Sequence, residues 1–140
     1  MIRTEKEYQD MLRRLEQDKD VMKEQRKRLE KLGLKDSEVD SAMEPAVSFH
    51  HQLQEEVEWY KQVKNGKFQP VYNLEQIGLL LIGLRISSGL TQKGLAALLG
   101  VSEAQVSRDE NNEYHGITVE RAQKILETLK TVIEINVKKL

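Results

Sequence analysis

The sequence predicts an all-α protein, and three observations support this fold class. The chain has only two prolines among its 140 residues, and it is rich in Leu, Glu and Lys. Apolar residues recur every three to four positions over long stretches, which is the period of one face of an α-helix. We therefore expect helices along most of the chain, with one exception near the C-terminus.

Residues 1–64 predict an antiparallel helical hairpin with coiled-coil-like packing. Two apolar stripes lie on either side of Gly33, a residue type that commonly ends a helix. Because the turn between the stripes is short, the two helices can bury their apolar faces against each other. Pro45 interrupts the second stripe, and it should either kink that helix or mark the helix's true first turn.

The register of this hairpin follows from folding the chain about Leu34. That fold places Tyr8 opposite Tyr60 and Asp18 opposite His50. Asp18 and His50 are polar breaks in otherwise apolar seams, and buried polar pairs can fix the register of paired helices. We therefore expect a carboxylate–imidazole contact between these two residues.

Residues 65–72 predict a linker, because the surrounding segment NGKFQPVYN contains two Asn, a Gly and a Pro. A second helical domain is expected over residues 73–131. Its first helix should end at Gly89, and its last helix should begin after Thr118, which is a suitable N-cap.

The stretch TQKGLAALLGVSEAQVSR, residues 91–108, predicts two short helices joined at a tight corner. Thr91 is positioned to cap the first helix, and Gly100 supplies the positive φ that such a corner needs. Ser102 and Gln105 have the spacing of a capping box at the start of the second helix. Val106 should anchor the second helix to the core.

Together with Arg85 and Glu110, the segments GLTQ, LA, LGVS and VSR between residues 89 and 108 carry a family resemblance. This pattern resembles the lambda-repressor-like helix-turn-helix regulators, also called the Xre family, over about residues 73–131. The resemblance implies a bundle of four or five helices whose third helix enters the major groove of duplex DNA.

The resemblance also implies which residues contact DNA. Arg108 can form a bidentate contact with guanine, and Glu103 can accept a hydrogen bond from cytosine N4. The resemblance further implies a buried ion pair between Arg85 and Glu110. The implied DNA-binding residues are Gln92, Lys93, Ser102, Glu103, Ala104, Gln105, Ser107 and Arg108.

Two residues depart from the family pattern. Gly94 stands where a helix former would be expected, and it should soften the helix. Asp109 stands where the family usually has an apolar residue that faces the core. We expect Tyr114 to fill that space, with the Asp109 carboxylate turned to solvent or to nearby backbone N–H groups.

Residues 132–140 predict a short C-terminal strand, because Ile133, Ile135 and Val137 alternate with polar residues. A strand needs a partner for its backbone groups. That partner is either the segment KFQPVY or the same strand of a second copy, which would give a homodimer. The alternative is a last helix that contains Val132 and Ile133.

The N-terminal segment IRTEKEY, residues 2–8, is similar to the start of HigA-type antitoxins. Those proteins combine a helical N-terminal segment with the same helix-turn-helix. The similarity implies a toxin protein as an alternative partner.

Composition excludes several other classes of protein. Residues 1–66 hold 13 Lys/Arg against 15 Asp/Glu, and residues 67–140 hold nine against eight, so no strongly basic surface is expected. The chain has no cysteine, and no metal-ligand, phosphate-loop or catalytic-triad pattern is present. We expect no enzyme activity, cofactor, metal site or membrane span, and a cytoplasmic location.

The sequence thus predicts a dimeric repressor of transcription that binds double-stranded DNA in a sequence-specific manner. Two alternatives are an antitoxin that also masks a toxin and a helix-turn-helix adaptor that does not bind DNA.

Overall fold

The structure, a computed structural model, describes residues 1–140 and confirms the all-α fold class. No helix is both long enough and apolar enough to cross a membrane. The chain divides into two compact units, residues 1–61 and 62–140. The helices are α1 (Glu5–Lys31), α2 (Asp36–Lys64), a 3-10 turn (Leu74–Gln76), α3 (Ile77–Ser87), α4 (Gln92–Leu99), α5 (Glu103–Asn111) and α6 (Val119–Thr128).

The first unit is an antiparallel hairpin of α1 and most of α2. The rings of Tyr8 and Tyr60 stack with centroids 4.9 Å apart, which is the pairing that the predicted register requires. Near the turn, Arg26 Nη2 donates to Asp40 Oδ1 at 2.8 Å. Pro45 lies inside α2, so the prediction that it could mark the first turn of that helix is wrong.

The predicted contact between Asp18 and His50 does not form. His50 is buried and its Nδ1 atom has no hydrogen-bond partner, while Asp18 is half-buried and makes no ion pair with it. A buried ion pair must lose the hydration of both charges, whereas apolar packing carries no such cost. The register is instead held by the tyrosine stack and by the buried side chains of Leu15, Val39, Met43 and Leu53.

The second unit packs α3, α4, α5 and α6 around one apolar core. Three of these helices begin at a Ser or Thr side chain that accepts a backbone N–H three residues later, which satisfies one of the free N–H groups of the first turn. The largest buried apolar side chains of this core are Leu81, Ile82, Leu84, Ile86, Leu95, Val106, Tyr114, Ile125, Leu126 and Leu129.

The segment predicted as a linker packs against α3 at one point. A Cβ atom at Gly83 would lie 3.1 Å from Cε1 of Phe68 in this segment and 3.2 Å from Cγ1 of Val63 at the end of α2. Both side chains therefore contact the backbone of α3, and the absence of a side chain at Gly83 permits that approach. The rest of the segment, residues 67–72, has no regular secondary structure.

The predicted C-terminal strand is not present in the single chain. Residues 131–140 form neither strand nor helix, and KFQPVY does not pair with them, so that pairing is wrong. The alternative last helix is also wrong, because α6 ends at Thr128 and Lys130 adopts a positive φ of 51°. A strand forms only where its backbone groups have a partner, and pairing with a second copy remains a prediction.

Gly78 provides a test of the packing in the second unit. A Cβ atom there would lie 1.8 Å from the backbone oxygen of Glu113. The variant Gly78→Ala should therefore lower the free energy of unfolding by about 1–3 kcal/mol, because the backbone must shift to relieve the overlap. Urea unfolding followed by circular dichroism measures this change.

The matched control is Gly94→Ala in α4, where a Cβ atom would meet nothing closer than 3.3 Å. The better helix propensity of alanine limits the expected change to about 1 kcal/mol or less. Equal destabilisation by the two variants would contradict the close approach at Gly78.

Candidate nucleic-acid interface

The corner between α4 and α5 is built by two caps and one glycine. Thr91 Oγ1 accepts the N–H of Gly94 at 2.9 Å, and Ser102 Oγ accepts the N–H of Gln105 at 3.1 Å. Between the helices, Gly100 adopts the left-handed conformation with φ 71° and ψ 31°, which glycine reaches without steric cost. The N–H of Val101 then donates to the carbonyl of Ala96 at 3.0 Å and closes the end of α4. These local bonds fix the direction in which α5 leaves the corner.

A buried ion pair joins α3 to the end of α5. Arg85 Nε lies 2.5 Å from Glu110 Oε1, and Arg85 Nη2 lies 2.8 Å from Glu110 Oε2. The two residues are only 2% and 0% exposed. Arg85 Nη1 also donates to the carbonyl of Leu90 at 2.8 Å. The ion pair implied by the family resemblance is therefore present, and it reaches the loop before α4 as well.

Gln92 has a structural contact in addition to its expected role at DNA. Its Nε2 atom donates to Glu110 Oε2 at 2.7 Å, so one amide hydrogen is directed into the domain. Gln92 is half-buried for this reason, whereas the neighbouring Lys93 is exposed at the start of α4. The contact links the first turn of α4 to the same carboxylate that holds α5.

The predicted DNA-binding residues of α5 do not have equal exposure. Val106 and Glu110 are buried and hold the inner face of the helix against the core. Gln105 and Ser107 are half-buried at the margins of the helix. The exposed residues, which form what we call the outer face, are Ser102, Glu103, Ala104 and Arg108.

The expected position of Asp109 is wrong. Its carboxylate is not turned to solvent or to backbone N–H groups, because Oδ2 forms an ion pair with Arg121 Nη2 of α6. Oδ1 accepts a hydrogen bond from Gln105 Nε2 at 2.9 Å. The Asp109 side chain is only 16% exposed. A carboxylate that is largely removed from water needs a partner, and here Arg121 and Gln105 are those partners.

This arrangement also corrects the predicted capping box at the start of α5. Ser102 accepts the N–H of Gln105, as expected. The side chain of Gln105 does not return to the N–H of Ser102, because its amide bonds to Asp109 and Arg108 further along the helix.

Tyr114 is buried behind this end of α5. Burial, and then the carboxylates of Glu110 and Asp109, raise the pKa of its phenol well above the usual value. The side chain therefore stays protonated to a higher pH than an exposed tyrosine does. Its buried position agrees with the expectation that it fills space beside Asp109.

Charge neutralisation decides what α5 presents to solvent. The helix contains the carboxylates of Glu103, Asp109 and Glu110. Arg85 pairs with Glu110, and Arg121 pairs with Asp109. Glu103 is thus the one carboxylate of α5 that has no cation within ion-pair distance, and it lies in the first turn, where the helix dipole favours a negative charge.

The buried pair can be tested by Glu110→Gln, which leaves the Arg85 guanidinium buried without a counter-charge. We expect the free energy of unfolding to fall by about 3–5 kcal/mol. Lys93→Ala serves as a control, because Lys93 is exposed and its removal should change the free energy by about 0.5 kcal/mol or less. Urea unfolding that shows equally small changes for both variants would contradict the central place of the pair.

The fold and the geometry of α4 and α5 agree with the comparison to known proteins. Residues 82–133 match the model of the family described as Helix-turn-helix, which is the lambda-repressor-like or Xre class. No curated protein and no solved structure matches the chain. The matched residues include both partners of the buried ion pair, the glycine corner and the outer face of α5. Residues 82–133 therefore form a helix-turn-helix domain, and this family suggests a DNA-binding transcriptional regulator.

Proposed function

We propose that the protein binds duplex DNA in a sequence-specific manner as a dimer and represses transcription, with α5 in the major groove. The outer face of α5 carries this proposal. The inner face of α5 is held against the core by Val106 and Glu110. Glu103, Ala104 and Arg108 therefore project from a helix whose position is fixed. A reading helix needs such support, because base contacts depend on placement within about 0.5 Å.

The outer face has the chemistry for three kinds of base contact. The Arg108 guanidinium fits O6 and N7 of guanine, and the Glu103 carboxylate can accept from N4 of cytosine. The methyl group of Ala104 suits the C5-methyl group of thymine. Glu103 also disfavours wrong sites, because a carboxylate is repelled by acceptor groups on the bases.

Phosphate contacts would come mainly from the start of α4. The first backbone N–H groups of a helix attract phosphate oxygens, and Gln92 and Lys93 occupy this first turn. Residues 67–140 carry nearly balanced charge. Affinity should therefore depend on placed contacts and on two bound subunits rather than on a broad basic field.

Dimerisation is proposed through the C-terminal tail. The side chains of Val132, Ile135 and Val137 are exposed in the single chain, and the tail has the alternation of a strand. Pairing of two tails about a two-fold axis would satisfy their backbone groups. The two recognition helices would then read inverted half-sites about one DNA turn apart.

Selection from a randomised duplex pool at about 0.15 M salt tests sequence-specific binding. We expect enrichment of two inverted half-sites about 10 bp apart. Arg108→Ala should lose the enriched base pair that Arg108 reads, whereas Lys124→Ala, an exposed cation on α6, should keep it. No enriched sequence, with weak retention that falls steeply as salt rises, would contradict the proposal.

The dimer can be tested by placing a charge on each side of the tail. Ile135→Asp should convert a dimer into a monomer, because it puts a carboxylate into the proposed apolar contact. Asn136→Asp introduces the same group on the other side of the alternation and should leave the dimer intact. Analytical ultracentrifugation distinguishes the two states, and a wild-type monomer or an unaffected Ile135→Asp dimer would count against tail pairing.

A second candidate function is toxin binding by the hairpin, as in an antitoxin. The observation that favours it is the exposure of Val21, Val47 and Phe49 on the hairpin, with Arg14 lying 5.2 Å from the ring centre of Phe49. Co-purification with the product of an adjacent gene, lost in Phe49→Asp and kept in Arg108→Ala, would support this function. If DNA binding is indifferent to Arg108→Ala and no toxin is found, an adaptor role is favoured.

A further inference from the structure

Four side chains of the second unit form a continuous hydrogen-bonded chain from the outer face of α5 to α6. Arg108 Nη2 donates to Gln105 Oε1 at 3.1 Å, and Gln105 Nε2 donates to Asp109 Oδ1 at 2.9 Å. The other carboxylate oxygen of Asp109 pairs with Arg121 of α6. This hydrogen-bonded series thus begins at the exposed guanidinium of Arg108, which is proposed to read a base, and it ends at Arg121 of α6.

The direction of these hydrogen bonds follows from the chemistry of Asp109. An ionised carboxylate only accepts hydrogen bonds, so the amide of Gln105 must present its NH₂ group to Asp109. The amide oxygen of Gln105 then faces Arg108, whose guanidinium only donates. An apolar residue at position 109 would remove the acceptor that holds the NH₂ group of Gln105, so the amide and the Arg108 guanidinium bound to it would lose a fixed contact.

The negative charge of Asp109 is offset within the same hydrogen-bonded series. A free carboxylate on a helix that approaches phosphate groups would be repelled by them. The Arg121 guanidinium offsets that charge locally. The pair can therefore direct Gln105 without presenting a net negative charge beside Arg108.

We propose that Asp109 and Arg121 are positioning residues for base reading. They hold the amide of Gln105, and through it the guanidinium of Arg108, so that discrimination at one base pair depends on two residues that need not touch DNA. This inference rests on the proposed function, because it concerns how the outer face of α5 reads a site.

The first experiment compares dissociation constants for the selected site and for the same site changed only at the base pair that Arg108 reads. A bidentate arginine contact gives roughly 5- to 150-fold discrimination. Asp109→Ala and Arg121→Ala should each remove most of this factor while leaving discrimination at the other base pairs unchanged. Lys124→Ala removes a cation from α6, the helix that carries Arg121, but Lys124 is not part of the hydrogen-bonded series. This variant should keep the full discrimination factor.

A charge swap separates positioning from a merely structural role. The double variant Asp109→Arg with Arg121→Asp can restore the ion pair and with it thermal stability. Arginine at position 109 only donates, so the Gln105 amide must turn its oxygen toward that residue and its NH₂ group toward Arg108. We expect recovery of the melting temperature without recovery of base discrimination, and recovery of both would overturn the inference.

A measurement on the free protein tests the hydrogen-bonded series without DNA. ¹⁵N relaxation of the Arg108 Nε–H group should report a more ordered side chain in the wild type than in Asp109→Ala. Equal mobility in the two proteins would overturn the inference. In the binding experiment, discrimination that survives Asp109→Ala overturns this inference but not the proposed function. A wild-type protein with no preference at any base pair overturns both.

Discussion

The helix-turn-helix depends on one buried interaction, the ion pair between Arg85 and Glu110. Two opposite charges removed from water are stable only when nearly all of their hydrogen-bonding groups have partners. Arg85 meets this condition by bonding Glu110 and the carbonyl of Leu90, and Glu110 meets it by also accepting from Gln92. These bonds connect α3, the loop before α4, the first turn of α4 and the end of α5. The position of α5 is therefore set by contacts at both of its ends, the glycine corner and this pair.

The same principle applies to the three carboxylates of α5, the helix that is proposed to lie against DNA. Two of the three carboxylates each pair with an arginine from another helix: Glu110 with Arg85, and Asp109 with Arg121. Only Glu103 remains without such a cation. Each of these carboxylates also accepts a hydrogen bond from a side-chain amide. Glu110 accepts from Gln92, and Asp109 accepts from Gln105. The two amides belong to the two helices that are proposed to contact DNA.

Local signals in the sequence were sufficient for the corner and its caps, because caps and glycine turns depend on residues within a few positions of one another. The Arg85–Glu110 pair was predictable only from the family resemblance. The Asp109–Arg121 pair was missed because it depends on how α6 packs against α5. The expected Asp18–His50 contact does not form, and apolar packing and a tyrosine stack hold the register. The predicted tail strand lacks a partner within one chain, so no pattern in the sequence could decide whether it forms.

Backbone amide chemical shifts test most directly the proposal that the outer face of α5 reads duplex DNA. A ¹⁵N-labelled chain would be titrated at about 0.15 M salt with a short duplex that carries the selected site, and then with a scrambled duplex. If the proposal holds, we expect shifts at Ser102 to Arg108 and at the start of α4 with the selected duplex, and much smaller shifts with the scrambled one. Shifts confined to the hairpin, or equal shifts with both duplexes, would contradict it.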